Sequence, residues 1–241
     1  MRLRDNIKIA DIMREDQKIY INIHGHRQSN TIEEWVMQNL MAKDFPPDDI
    51  ENGYYSVGFH PYNVGKVDEH ETLERVSKST EHSRVLAIGE IGLDKSIEAP
   101  LEDQLRIFEK QVEIAESAKL PVVLHVVRAF NEMLGFMKAQ QPVVPIIIHG
   151  YNGSPEMAEE LVKAGFLISF GQAITGEHSK IIESLQKVPV EMMFLETDEG
   201  DMDIRELYQF AAELKGISED HLRVQIFENA RTHLSRFSNF I

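Results

Sequence analysis

Short apolar runs rich in Val and Ile alternate with longer amphipathic segments along this chain. The runs fall near residues 18–24, 53–59, 84–90, 121–127, 143–149, 166–171 and 190–196. Each is nearly continuous in its hydrophobicity, the pattern of a strand covered on both faces. Over "LEDQLRIFEKQVEIAESAKL", Leu101, Leu105, Phe108, Val112 and Ala115 recur at three- and four-residue spacing while charges fill the opposite side. That spacing predicts a helix with one buried stripe. Further helices are expected over 31–42, 68–80, 129–139, 154–164, 177–187, 203–215 and 219–236. Ser154 then Pro155 supplies an N-cap and a proline at the first helical position. Gly165 and Gly216 stand where helices should stop.

Strand and helix in regular succession imply an α/β fold with a parallel sheet and helical crossovers. Seven strands are clear, one short of a closed eight-stranded barrel. The shortfall lies between His26 and Gly58, which reads as a single helix. Either a strand hides in "MAKDFPPDDIENG", against the advice of Pro46-Pro47, or the barrel is incomplete. No linker divides the sequence, so one domain over 1–241 is expected.

The downstream ends of the runs carry the chemistry. "IYINIHGH", "VLAIGE", "PVVLHVV" and "PIIIHG" each reach a potential metal ligand, and "MMFLETD" ends in Glu196 and Asp198. In a barrel of parallel strands these ends converge on one face. His24 and His26, two apart on a strand, point the same way and can grip one ion. Glu90 between Gly89 and Gly92 is a carboxylate that is costly to bury unless paired or bound to metal. His125 and His149 sit inside apolar runs. Each alone reads as a satisfied core histidine, but two at neighbouring strand ends point to a site. Asp198 is placed to ligate an ion and to take a proton from water. Asp94 reads as a partner orienting a ligand histidine or as a loop cap. His60 in "GFHPYN" faces the same mouth, and Arg128 and Arg27 are candidate phosphate clamps. His70, His82, His178, His221 and His233 lie in polar segments and read as solvated. Four histidines and two carboxylates can hold two bridged divalent ions, and mixed N/O ligands suit Zn²⁺, Mn²⁺ or Fe²⁺ more than Mg²⁺.

Charge narrows the substrate. Lys plus Arg is 25 and Asp plus Glu is 40, a formal net charge of -15, which argues against coating a bulk polyanion. Small substrates stay open, as does a local site where metal ions supply the positive charge. With no cysteine, thiolate chemistry and disulfides are excluded. The first 17 residues mix both charges and read as neither signal peptide nor presequence. No apolar run approaches the roughly 20 residues that span a bilayer, so no membrane partner is expected and a cytoplasmic location is.

The motifs, in order from about residue 20 to the C-terminus, resemble those of the TatD-like family of metal-dependent deoxyribonucleases, within the amidohydrolase-type barrels. "NIHGH" is similar to its D-x-H-x-H opening, "GFHPYN" to its G-x-H-P segment, and "AIGEIGLD" to its most distinctive motif. "LPVVLHVVRA", the segment from "IIHGYNG" to "FGQAIT", "FLETD" and "IFENARTHL" with Asn229 follow. The resemblance implies a TIM-type barrel and metal-dependent hydrolysis of phosphodiesters, usually DNA. By the same motifs, His24, His26 and Asp198 would hold one ion and His125 with His149 a second. Glu90 would bridge them, with His60 and Asp94 in support. Four departures stand out: Asn22 replaces an aspartate, Tyr62 replaces a frequent histidine, Arg128 lies one place late, and "ETDEGD" lacks the usual proline and apolar residues.

Three readings follow. The first is a two-metal deoxyribonuclease using Mg, Mn or Zn on DNA, single-stranded or at ends. The second keeps the metals but takes a small ester, lactone or amide, since one barrel supports many reactions. The third is a barrel kept for binding alone, which the full ligand set argues against.

Overall fold

The computed structural model describes residues 19–29, 31–176 and 179–239. Eight parallel strands pair in sequence order: β1 Tyr20–Gly25, β2 Glu34–Met41, β3 Tyr54–Gly58, β4 Val85–Asp94, β5 Val122–Val127, β6 Ile146–Ile148, β7 Leu167–Phe170 and β8 Met193–Leu195. Helices α1 Glu69–Ser79, α2 Leu101–Ala118, α3 Phe130–Gln140, α4 Pro155–Lys163, α5 Ser179–Lys187, α6 Ile204–Lys215 and α7 Glu219–His233 follow the later strands. The seam between β1 and the end of β8 is stitched by Asp198 N–H donating to the His24 carbonyl (3.0 Å) and His26 N–H donating to the Asp198 carbonyl (3.2 Å). The sheet therefore forms a nearly closed TIM-type barrel.

The helix expected over 31–42 is instead the missing strand. Ile32, Trp35, Val36 and Leu40 have helix-like spacing, yet Ile32 is 98% exposed while Trp35, Val36 and Met37 are buried in succession. A short apolar run fits either element, and ladders on both sides decide: Ile21 pairs with Trp35, and Met37 with Tyr54. The barrel is thus complete in strands. "MAKDFPPDDIENG" holds only the short turns Ala42–Asp44 and Ile50–Asn52. The described residues joining β1 to β2 and β2 to β3 contain no α-helix. Trp35 stacks on Tyr54 at 5.1 Å and meets Phe237 edge-on at 4.9 Å, so the C-terminal turn Phe237–Asn239 packs against β2.

Elsewhere the boundaries move by a few residues. β4 runs on to Asp94, which puts Glu90 and Asp94 on one strand. Ser154 Oγ accepts the Met157 N–H at 3.3 Å, the cap its position implied. Asn229 donates from Nδ2 to the Val190 and Met193 carbonyls, both at 2.8 Å, tying α7 to the start of β8. The Tyr208 hydroxyl ties α6 to β1 by donating to the Ile21 carbonyl at 2.9 Å. The reading of residues 1–17, the first residue of the run at 18–24, and Glu177 and His178 lie outside the described residues. Among the described residues no helix is long and apolar enough to cross a membrane.

Candidate metal centre

The carboxylate of Glu90 is the hub of the barrel mouth. Its Oε1 lies 2.7 Å from His149 Nε2, 2.8 Å from His125 Nδ1 and 3.3 Å from His60 Nε2. Its Oε2 is 3.7 Å from His24 Nε2 and accepts from Asn39 Nδ2 at 3.4 Å. Glycines allow this crowding. A Cβ at Gly89 would sit 2.6 Å from Val123 Cβ, and one at Gly92 would collide with the His125 carbonyl oxygen. Only chain without side chains there lets β4 press this close to β5.

Asp198 organises the other side. Its Oδ1 lies 3.4 Å from His24 Nε2 and 3.3 Å from His26 Nε2. Its backbone is left-handed, with φ 51°. Asp94 Oδ2 meets His125 Nε2 at 3.2 Å, and Glu196 Oε1 meets His149 Nδ1 at 3.3 Å while accepting the Gly150 N–H at 2.6 Å. Three overlapping groups bring ligand atoms within 4.8 Å of one another: His24, His26 and Glu90; His24, His149 and Asp198; His60, Glu90 and His125.

Burial opposes charge on Glu90, yet the imidazoles of His149, His125 and His60 outweigh it and hold the carboxyl far below its usual range. Asp198 is lowered in the same way, burial being overcome by His24 and His26. His149 is raised well above an ordinary histidine, because Glu90 and Glu196 outweigh its desolvation. Hydrogen bonding to Asp198 raises His26.

This donor set fits divalent ions. His24 is fully buried, and among the described residues neither of its ring nitrogens has a hydrogen-bond partner. Such orphans are rare in folded proteins, and a bound cation would give one of these nitrogens a partner. Imidazole and carboxylate together are ligands that divalent cations take.

Of the residues the sequence singled out, His24, His26, Glu90, His125, His149 and Asp198 come together, with His60 and Asp94 against them. Arg128 is outside the cluster: it is exposed, left-handed at φ 55°, and finds no ion-pair partner among the described residues. Arg27 pairs with Asp201 on the surface. Sequence reasoning missed Asn39, because its strand was read as helix. It also missed Gln104, whose Oε1 accepts the Asp94 N–H at 2.8 Å and whose Nε2 donates to the Asp94 carbonyl at 3.0 Å. A glutamine four residues before Phe108, in line with the apolar stripe of α2, was the available signal.

Residues 29–235 match the family model described as TatD related DNase. An uncharacterized metal-dependent hydrolase of Haemophilus influenzae is 31% identical over 212 residues, covering 84% of this chain and 75% of that protein. A putative deoxyribonuclease, tatdn3 of Danio rerio, is 31% identical over 162 residues, covering 61% of this chain and 60% of that protein. The crystal structure of YjjV, a TatD homolog from Escherichia coli K12, superimposes with a TM-score of 0.81 at 22% identity, over 91% of this chain and 99% of that one. Sequence and fold agree over nearly all of the described chain, which belongs to the TatD related DNase family.

Proposed function

We propose that this chain is a metal-dependent hydrolase that cleaves DNA phosphodiester bonds with two divalent ions. The observation that carries the reading is Glu90, whose two oxygens face different histidines, as a carboxylate shared by two ions would. His24, His26 and Asp198 would hold one ion, and His125 with His149 the other. Ions bound there supply Lewis-acid polarisation of a phosphoryl oxygen and ease ionisation of water.

The chain's own groups do the rest. Asp198, ionised and 43% exposed, takes a proton at Oδ1 or Oδ2 from the attacking water. Buried His24 and Glu90 keep bulk water from the base of the mouth. His60, whose Nδ1 accepts the Tyr62 N–H and whose Nε2 faces Glu90, would donate from Nε2 to a substrate oxygen, and exposed Arg128 would offer a planar fork to a phosphate further along the DNA strand. The names of relatives support hydrolysis, two being named putative deoxyribonucleases and one an RNA nuclease.

A net charge of -15, with Glu199, Asp201 and Asp203 following Asp198, favours a second reading in which a small ester or amide is the substrate. The test is bound metal by elemental analysis together with cleavage of labelled single-stranded DNA across Mg²⁺, Mn²⁺ and Zn²⁺, with Asp198→Asn as control. Metal-dependent cleavage that vanishes in the control supports the nuclease. Bound metal without DNA cleavage transfers the proposal to the small substrate, whose hydrolysis is far less sensitive to salt.

A further inference from the structure

Behind Asp198, three side chains form a hydrogen-bonded chain that the proposed chemistry does not use. Asn22 on β1 is 1% exposed. Its Oδ1 accepts the Thr197 N–H at 3.1 Å, and its Nδ2 donates to Thr197 Oγ1 and to Glu34 Oε1, both at 2.8 Å. The orientation of the amide is fixed by chemistry. A backbone N–H can only donate and a carboxylate can only accept, so oxygen faces Thr197 N and nitrogen faces Glu34. Three elements are thereby joined: β1, β2 and the segment leaving β8.

Thr197 is gripped at its N–H and its hydroxyl, and the next residue is Asp198 in a left-handed conformation. A non-glycine residue keeps that conformation only where its surroundings hold it. We infer that Asn22 and Glu34 are a matched pair that positions Asp198. Glu34 fixes the amide of Asn22, the amide fixes Thr197, and Asp198 Oδ1 stays within reach of His24 and His26. The inference rests on the reading of Asp198 as a metal ligand. It makes charge at positions 22 and 34 mutually exclusive. A carboxylate at 22 could still accept from Thr197, but its second oxygen would face Glu34 at hydrogen-bond distance, like charge against like. Glutamine at 34 can either accept from an amide or donate to a carboxylate, so it suits both.

The test measures Mn²⁺ and Zn²⁺ affinity per folded protein, and thermal unfolding with chelator, for wild type, D198N, N22D, E34Q and N22D/E34Q. The expected result is a loss of about tenfold or more in N22D, E34Q within about threefold of wild type, and recovery to within about threefold in the double variant. If N22D does not fold, Asn22→Ala removes the grip without adding charge and reads the same loss. Wild-type affinity in N22D, or a loss that E34Q does not repair, overturns the inference. So do lowered melting temperatures with unchanged affinity, which would make the pair purely structural. Retained affinity in D198N overturns the metal-ligand reading itself, independently of Asn22 and Glu34, and the inference with it.

Discussion

Glu90 Oε1 and His149 Nε2 meet at 2.7 Å in a mouth where neither side chain is more than 8% exposed. A charge pair this dry is stabilising only while both members are present, because either one alone is left uncompensated. Glu90→Gln keeps the shape and removes the charge. The expected outcome is loss of bound metal, with affinity down about 100-fold or more. The metal-free protein should also lose on the order of 3 kcal/mol in denaturant unfolding, since His149 keeps its raised proton affinity only with Glu90 opposite. A Gln variant that still carries a full complement of metal would sink the shared-carboxylate reading.

The same pair sets a pH dependence. His149 is raised, so its contribution to the metal-free fold is complete below about pH 6.5 and is lost as pH rises through its folded value. Glu90 and Asp198 are lowered, so theirs is present above about pH 4 and is lost as pH falls. The metal-free protein should draw most support from the cluster between about pH 5 and 6.5. A divalent ion must displace the His149 proton. Metal binding at neutral pH should therefore release protons, and the rise in melting temperature on adding metal should grow from about pH 6 to 8. Calorimetry in buffers of different ionisation enthalpy counts the protons; zero release at pH 7 contradicts a protonated His149.

The strand-end histidines were legible because each closes an apolar run, and a barrel turns that one-dimensional regularity into a shared mouth. Glu90, His125 and His149 needed no structure to be suspected. β2 was not legible, since Trp35, Val36 and Leu40 satisfy a helical spacing as well as a strand, and only pairing with Ile21 and Tyr54 separates the two. The error carried its own cost: Asn39, which touches Glu90, was hidden on the wrong element. Which partner each carboxylate would choose was also beyond sequence. Period-two alternation puts Glu196 and Asp198 on one face, yet Glu196 holds His149 while Asp198 faces His24 and His26.

Gly92 is the tightest point between β4 and β5. Its φ is 144°, and a Cβ would strike the His125 carbonyl. Gly92→Ala must either strain the backbone or push the strands apart, for a loss of about 3 kcal/mol in urea unfolding. Because Glu90 and His125 flank the contact, metal affinity should fall along with stability. An alanine variant with wild-type stability would mean that β4 does not lie this close to β5.

Glu196 gives the sharpest separation of folding from metal binding. It is fully buried, its Oε1 accepts the Gly150 N–H and faces His149 Nδ1, and its Oε2 has no hydrogen-bond partner among the described residues. A proton held on Nδ1 by this carboxylate fixes the ring so that Nε2, which shares its proton with Glu90 in the metal-free protein, presents its lone pair to an ion once that proton is displaced. Glu196→Gln retains an oxygen for both donors and loses only the charge, so it should fold and weaken metal binding by less than about tenfold. Glu196→Ala removes the acceptor, frees the ring to rotate or change tautomer, and should weaken binding by about 10–100-fold. The ordering wild type, then Gln, then Ala in metal affinity per folded protein is the signature of a group that orients His149. Equal affinity in all three, with stability alone reduced, would reduce Glu196 to a partner of the Gly150 backbone.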